Sequence, residues 1–153
     1  MAIKPQFTKN DVRKRFDAFL EEVERAEIEA LEKLGEECVT HAKSIPSEVG
    51  FKDQTGNLRS SMGYVIFKNG VAIRNNYVQV LNGSEGMKAG QQLAEQVGSG
   101  TKGIVLVVTA GMNYATYVEA KGRDVLASAE ILAQRNLPKV LSDLVKDIKL
   151  TVK

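Results

Sequence analysis

Few side chains in this chain have types and spacings that carry chemistry, and each has a structural reading beside it. Cys38 and His41 stand three apart on one face of a predicted helix, as half of a zinc site would. No second pair of ligands follows at zinc-like spacing, so a core thiol beside a surface imidazole fits better. Gly98-Ser99-Gly100-Thr101-Lys102-Gly103 has the letters of a dinucleotide-binding loop. The element after it is a strand, and without a helix N-terminus the amides and dipole that hold pyrophosphate are missing. Ser60 and Ser61 sit in no nucleophile elbow, and the single histidine is on another helix with no acid to orient it. Glu119 and Asp124 have the spacing of paired carboxylates, yet beside Lys121 and Arg123 they read better as turn caps. Arg13-Lys14-Arg15 could touch phosphate but lacks the interleaved aromatics of a nucleic-acid site. The residues therefore assign no catalytic, cofactor-binding or metal role, and no sequence-specific nucleic-acid contact.

Composition sets the frame for the elements behind these residues. A chain of 153 residues, 43% hydrophobic and 26% charged, has the length and balance of one domain. No apolar run reaches the roughly 18 residues of a spanning helix, the first residues contain no apolar leader, and a lone cysteine forms no internal disulfide. Synthesis in a reducing cytoplasm without membrane insertion is expected. The net charge of +2 is unevenly spread: residues 1–42 carry 7 Lys/Arg against 10 Asp/Glu, and residues 43–153 carry 14 against 9. Such asymmetry suits head-to-tail packing of copies and equally suits solvated faces.

Thr8 and Asp11 form a capping-box variant that starts a long helix over residues 8–43. Val12, Phe16, Phe19, Val23, Ala26, Ala30, Leu34 and Cys38 recur along it at three- and four-residue steps. A coiled coil has the same pattern, but Gly35 and the drift to four-residue steps favour packing on the chain's own sheet. The helix stops before Pro46, and Thr55 or Asn57 could cap a short helix after it. Asn69-Gly70 between two apolar runs predicts a type I′ hairpin, with Ile66 opposite Ile73 and Val65 opposite Arg74. Both faces of that hairpin are apolar, so a second helix or another copy must cover what the first helix leaves. Tyr77–Leu81 continues or adds a strand, and Ile104–Val108 reads as a strand buried on both sides. Between them, residues 82–102 hold five glycines and read as an arm with one or two helical turns near residues 89–97. Residues 124–149 form the C-terminal helical segment, which Pro138 should kink or restart with Asn136 as cap. The predicted fold is one α+β domain, 1–153: a long N-terminal and a C-terminal helix on a small, mainly antiparallel sheet over 63–110, with a long hairpin arm.

Thr55-Gly56-Asn57-Leu58-Arg59-Ser60-Ser61, two strands, and then Asn113-Tyr114-Ala115-Thr116-Tyr117-Val118-Glu119 carry a resemblance. In that order, between a long N-terminal and a C-terminal helix, they resemble the gene-product-ten-like putative tail-component family of long-tailed bacteriophages, whose members are neck or tail-completion proteins. After Glu119 the chain departs from the family pattern, reading Ala120-Lys121-Gly122-Arg123-Asp124 where Gly-Thr and a Pro-Phe segment are usual. The resemblance implies a virion structural protein, made in the host bacterial cytoplasm, that assembles as a homo-oligomeric ring between portal-side connector and tail proteins. It implies no catalysis and no cofactor, with DNA passing non-specifically through the ring lumen.

The expected assembly contacts are Arg59 and Glu119, placed near one another or on one inter-subunit surface, Tyr114 and Tyr117 beside them, and Met87, Leu93 and Val97 on the arm. The alternative is a small cytoplasmic enzyme or binding domain in which residues 82–102 form a lid over convergent polar groups.

Overall fold

A computed structural model describes residues 3–152 of the chain, with side-chain environments over residues 3–150. Helix α1 spans Lys9–Ser44 and opens on the predicted capping box: the Asp11 amide donates to Thr8 Oγ1 at 3.2 Å, and the Thr8 amide donates to Asp11 Oδ2 at 2.8 Å. Then come α2 (Asn57–Ser60), β1 (Met62–Lys68), β2 (Val71–Tyr77), α3 (Ser84–Gly98), β3 (Ile104–Ala110), α4 (Ala115–Ala120) and α5 (Ala127–Val152). This is the expected α+β fold, with long N- and C-terminal helices around a three-stranded antiparallel sheet.

The strand order is β2-β1-β3, with β1 antiparallel to both neighbours. The hairpin turn is where Asn-Gly puts it, with positive φ at Asn69 (50°) and Gly70 (81°). Its register is corrected by a shift between Ile66 and Phe67, which pairs Ile66 with Arg74 and Val65 with Asn75. Such an extra residue on one strand bends it and increases the local twist. β3 lies at the edge of the sheet, and β1 is the central strand, buried from Met62 to Phe67.

The two apolar faces of β1 are covered by two different helices. Tyr64 and Ile66 pack with Val39, Ile28 and Leu31 of α1, whereas Val65 and Phe67 pack with Val107 and with Ala94 and Met87 of α3. A third group joins α1 to α5 and the α4 turn through Leu34, Cys38, Ala42, Phe51, Leu58, Met62, Val125 and Ala129.

Residues 82–102 are therefore not a hairpin arm. Because β2 and β3 flank β1, their connection must cross the sheet, and α3 makes the crossing as a fifteen-residue helix. Its inward face is Gly86, Gly90, Ala94 and Gly98, all buried. A Cβ on Gly86 would lie 1.9 Å from the Asn57 carbonyl oxygen, and one on Gly98 would lie 2.1 Å from the Phe67 ring. These glycines are the contact surface of the helix, since hydrogen is what lets its backbone approach.

α5 runs on through Pro138 instead of restarting there, and Asn136 is no cap: its Nδ2 donates to Glu37 Oε2 of α1 at 3.2 Å.

Candidate assembly surface

The segment Asp53–Ser61 is where the ends of three helices meet. Gly56 is the N-cap of α2, and its neighbours satisfy the opening amides: the Asp53 carboxylate takes the Gly56 amide at 3.0 Å and the Arg59 amide at 2.7 Å, and Thr55 Oγ1 takes the Asn57 amide at 3.3 Å. The Asn57 side chain accepts the Gly86 amide at 3.1 Å, satisfying a donor in the first turn of α3. Ser60 Oγ accepts the Val80 amide at 2.7 Å and donates to the Val80 carbonyl at 3.2 Å, holding the strand exit of β2.

Arg59 is tied to the end of α1. Its guanidinium lies 4.8 Å from the Phe51 ring centroid and donates to the Lys43 and Ile45 carbonyls, at 3.4 and 3.3 Å. These are among the carbonyls that the end of α1 leaves without a helical partner, and a cation there also faces the negative end of the helix.

Glu119 is occupied in the same way. Its Oε1 accepts the amides of Val125, Leu126 and Ala127 at 3.4, 3.2 and 2.7 Å, and Asp124 Oδ1 accepts the Ser128 amide at 3.2 Å. The two carboxylates cap α5, the reading their sequence context favours. No hydrogen bond or ion pair among the described residues joins Arg59 to Glu119; each instead finishes a different helix.

Asn113–Glu119 is mostly the helix α4, with Ala115 buried beneath it. Tyr114 lines a shallow cleft with Phe51, Asp53, Leu58 and Val118, and burial raises its phenol above the ordinary pKa. Tyr117 is 61% exposed, its ring 4.8 Å from the Lys121 ammonium. On α3, Met87 packs inward against Val65 and Phe67, while Leu93 and Val97 are exposed on the outer side. Of the expected contacts, Tyr114, Tyr117, Leu93 and Val97 are exposed, whereas Arg59, Glu119 and Met87 are half-buried and make contacts within the subunit.

The groups weighed for chemistry are tied into packing. Cys38 Sγ points at the Ala129 carbonyl at 3.8 Å, and His41 Nε2 pairs with Ser128 Oγ at 2.8 Å, joining α1 to the start of α5. Among the described residues no three His, Cys, Asp or Glu side chains could hold a metal ion, and no helix is long and apolar enough to cross a membrane. A cleft of about 440 Å³ between α1 and α5 is lined by charges of both signs, including Glu29, Lys33, Lys139 and Asp143.

The surface also presents apolar groups with no cover: Phe7, Val12, Phe16 and Leu20 at the start of α1, and Ile131, Leu141 and Val145 on α5. Among the described residues, the outer side of β3 pairs with no strand over Ile104–Ala110, seven residues without a charge or a proline. Composition could have flagged this edge, because an uncharged β-branched run ending a sheet lacks the devices that blunt edges. Comparison with protein-family models, with curated proteins and with solved structures finds no match for the chain.

Proposed function

We propose that the chain is a structural subunit of the head-tail neck or tail-completion region of a bacteriophage virion, working by assembly and not by catalysis. Two things support the reading: the ordered resemblance through Thr55–Ser61 and Asn113–Glu119, and the bare β3 edge. The edge carries most of the weight. A row of unpaired strand N–H and C=O groups, with no charge to repel a second strand, is a template for another chain. β2 forms the opposite edge and runs parallel to β3, so contact of one edge with the other edge of the next copy is head-to-tail, and such contacts generate rings when the rotation closes. Tyr114 and Tyr117 would face the neighbouring connector and tail proteins, and DNA would pass the lumen without sequence readout.

That residues 84–98, the lid of the alternative reading, form a helix packed on the sheet through Gly86, Gly90, Ala94 and Gly98 supports assembly over that alternative. Removing the gene from its phage tests the proposal. DNA-filled heads with unattached tails, together with rings of the purified protein in negative-stain images, are expected. Intact, infectious virions made without the protein would overturn it.

A further inference from the structure

Helix α1 continues well past the body of the protein. Every residue from 3 to 18 is exposed, a stretch whose helical part is about 15 Å long. Within the body, α1 packs antiparallel on α5: His41 meets Ser128, Glu37 meets Asn136, and Phe19 and Val23 line one cleft with Ile148. The seam α1 turns toward α5 repeats as Val12, Phe16, Phe19, Val23, Ala26 and Ala30, alternating steps of four and three, the spacing of a coiled-coil stripe. α5 covers it from Phe19 onward. Before that, Val12 is 52% exposed and Phe16 59%, and beside the seam, one helical turn on from Phe16, Leu20 is 47% exposed.

Charge around the bare seam is sharply divided. Lys4, Lys9, Arg13, Lys14 and Arg15 face a single acid, Asp11, over residues 3–15, whereas residues 16–24 hold Asp17, Glu21, Glu22 and Glu24 with no base. None of the five cations has an acidic partner among the described residues, nor do Asp17 and Glu21 have a cationic one. Basic residues in the opening turns also oppose the positive end of the helix, a local cost that a neighbouring acid would remove.

We infer that this segment is an interface between two copies of the chain, paired antiparallel about a twofold axis near Phe16. Val12, Phe16 and Leu20 are evenly spaced about that residue, so the stripe is complementary to itself when reversed. The reversal brings Lys9–Arg15 of one copy beside Asp17–Glu24 of the other, whereas parallel pairing sets like charge on like. The contact is isologous, so it differs from the head-to-tail contact of a ring and holds or fails independently of the neck reading.

Sedimentation equilibrium of the full chain tests it. A concentration-dependent dimer is expected, with a dissociation constant that rises with salt. Phe16→Ser should weaken it by about tenfold or more. Arg13→Glu with Arg15→Glu should abolish it, as should Asp17→Lys with Glu21→Lys, and mixing these two double variants should restore a dimer; circular dichroism checks that each remains folded. A chain that stays monomeric overturns the inference, as does a dimer that all these variants leave unchanged. So does a monomer whose Lys9–Arg15 segment instead binds anionic vesicles or duplex DNA.

Discussion

Tyr77 and Thr109 stand on strands that do not touch, yet their hydroxyls meet at 2.6 Å across β1. Gly63 lies between them in register with both, and a Cβ there would sit 2.3 Å from the Tyr77 ring, so the phenol can cross the central strand only over a glycine. Thr109 Oγ1 donates to the Gly90 carbonyl at 3.1 Å, which leaves the Tyr77 O–H as donor to Thr109. One chain of hydroxyls thus fastens both outer strands to α3. Tyr77→Phe removes the first link and should cost about 1 kcal/mol in denaturant unfolding, with the native circular dichroism retained.

Buried phenols make the protein sensitive to alkali. Burial first, and then the bond to Glu36, raises the Tyr64 pKa, and burial raises that of Tyr77, both from 10.0. The folded state therefore holds these protons more tightly than the unfolded chain. That contribution is fully present below pH 10.0 and is lost as pH rises above it. The melting temperature should fall on that side, and tyrosinate absorbance should appear together with unfolding.

At the acid end the sign reverses for the α1 cap. The Asp11 carboxylate is held below its ordinary pKa of 3.8 by the Thr8 amide first and the Thr8 hydroxyl second. Its support for the helix start is present above that value and lost as pH falls below it. Thr8→Ala should fray the first turn at neutral pH, seen as faster amide exchange over residues 9–12, at a cost of about 1 kcal/mol of local stability.

Glu119→Ala should lower global stability by about 1–2 kcal/mol, because three amides at the start of α5 lose their acceptor together. Charge reversal at Arg59 should likewise read out as folding loss. Equal unfolding midpoints for wild type and Glu119→Ala would show that the cap contributes nothing.

Glycines two residues apart should answer differently to one methyl group. Gly98→Ala drives a Cβ into the Phe67 ring and should cost about 3 kcal/mol, whereas Gly100→Ala meets nothing within 4 Å and should change stability by less than about 0.5 kcal/mol. Thermal melts of the pair measure the contrast directly.

Where local chemistry decides structure, the sequence was readable. Thr8 and Asp11 mark the start of α1, Asn69-Gly70 marks the hairpin, and the apolar residues on both sides of β1 require two covering layers. The second layer was hidden because α3 buries glycine and alanine, residues that read as looseness in a segment expected to pack through large side chains. The signal was present as small residues at 86, 90, 94 and 98, one helical turn apart. Arg59 and Glu119 stood out as charged residues in a motif, but their partners are backbone groups brought together only by the tertiary fold. Which carbonyls an arginine will meet sixteen and fourteen positions back along the chain is not written in local spacing.

The small-residue face of α3 also sets how this helix can drift over generations. Its grip on the sheet is made by backbone proximity, and its outer positions, Lys88, Gln91, Gln92, Glu95 and Gln96, face a groove and solvent. A saturation library over 84–98 should therefore yield a tolerance profile that beats every four positions, near zero at 86, 90, 94 and 98, restricted to apolar residues at the inward-packed Met87, and broad at the outer positions. The outer surface can then be rewritten almost freely for a changing neighbour while the inner one stays fixed.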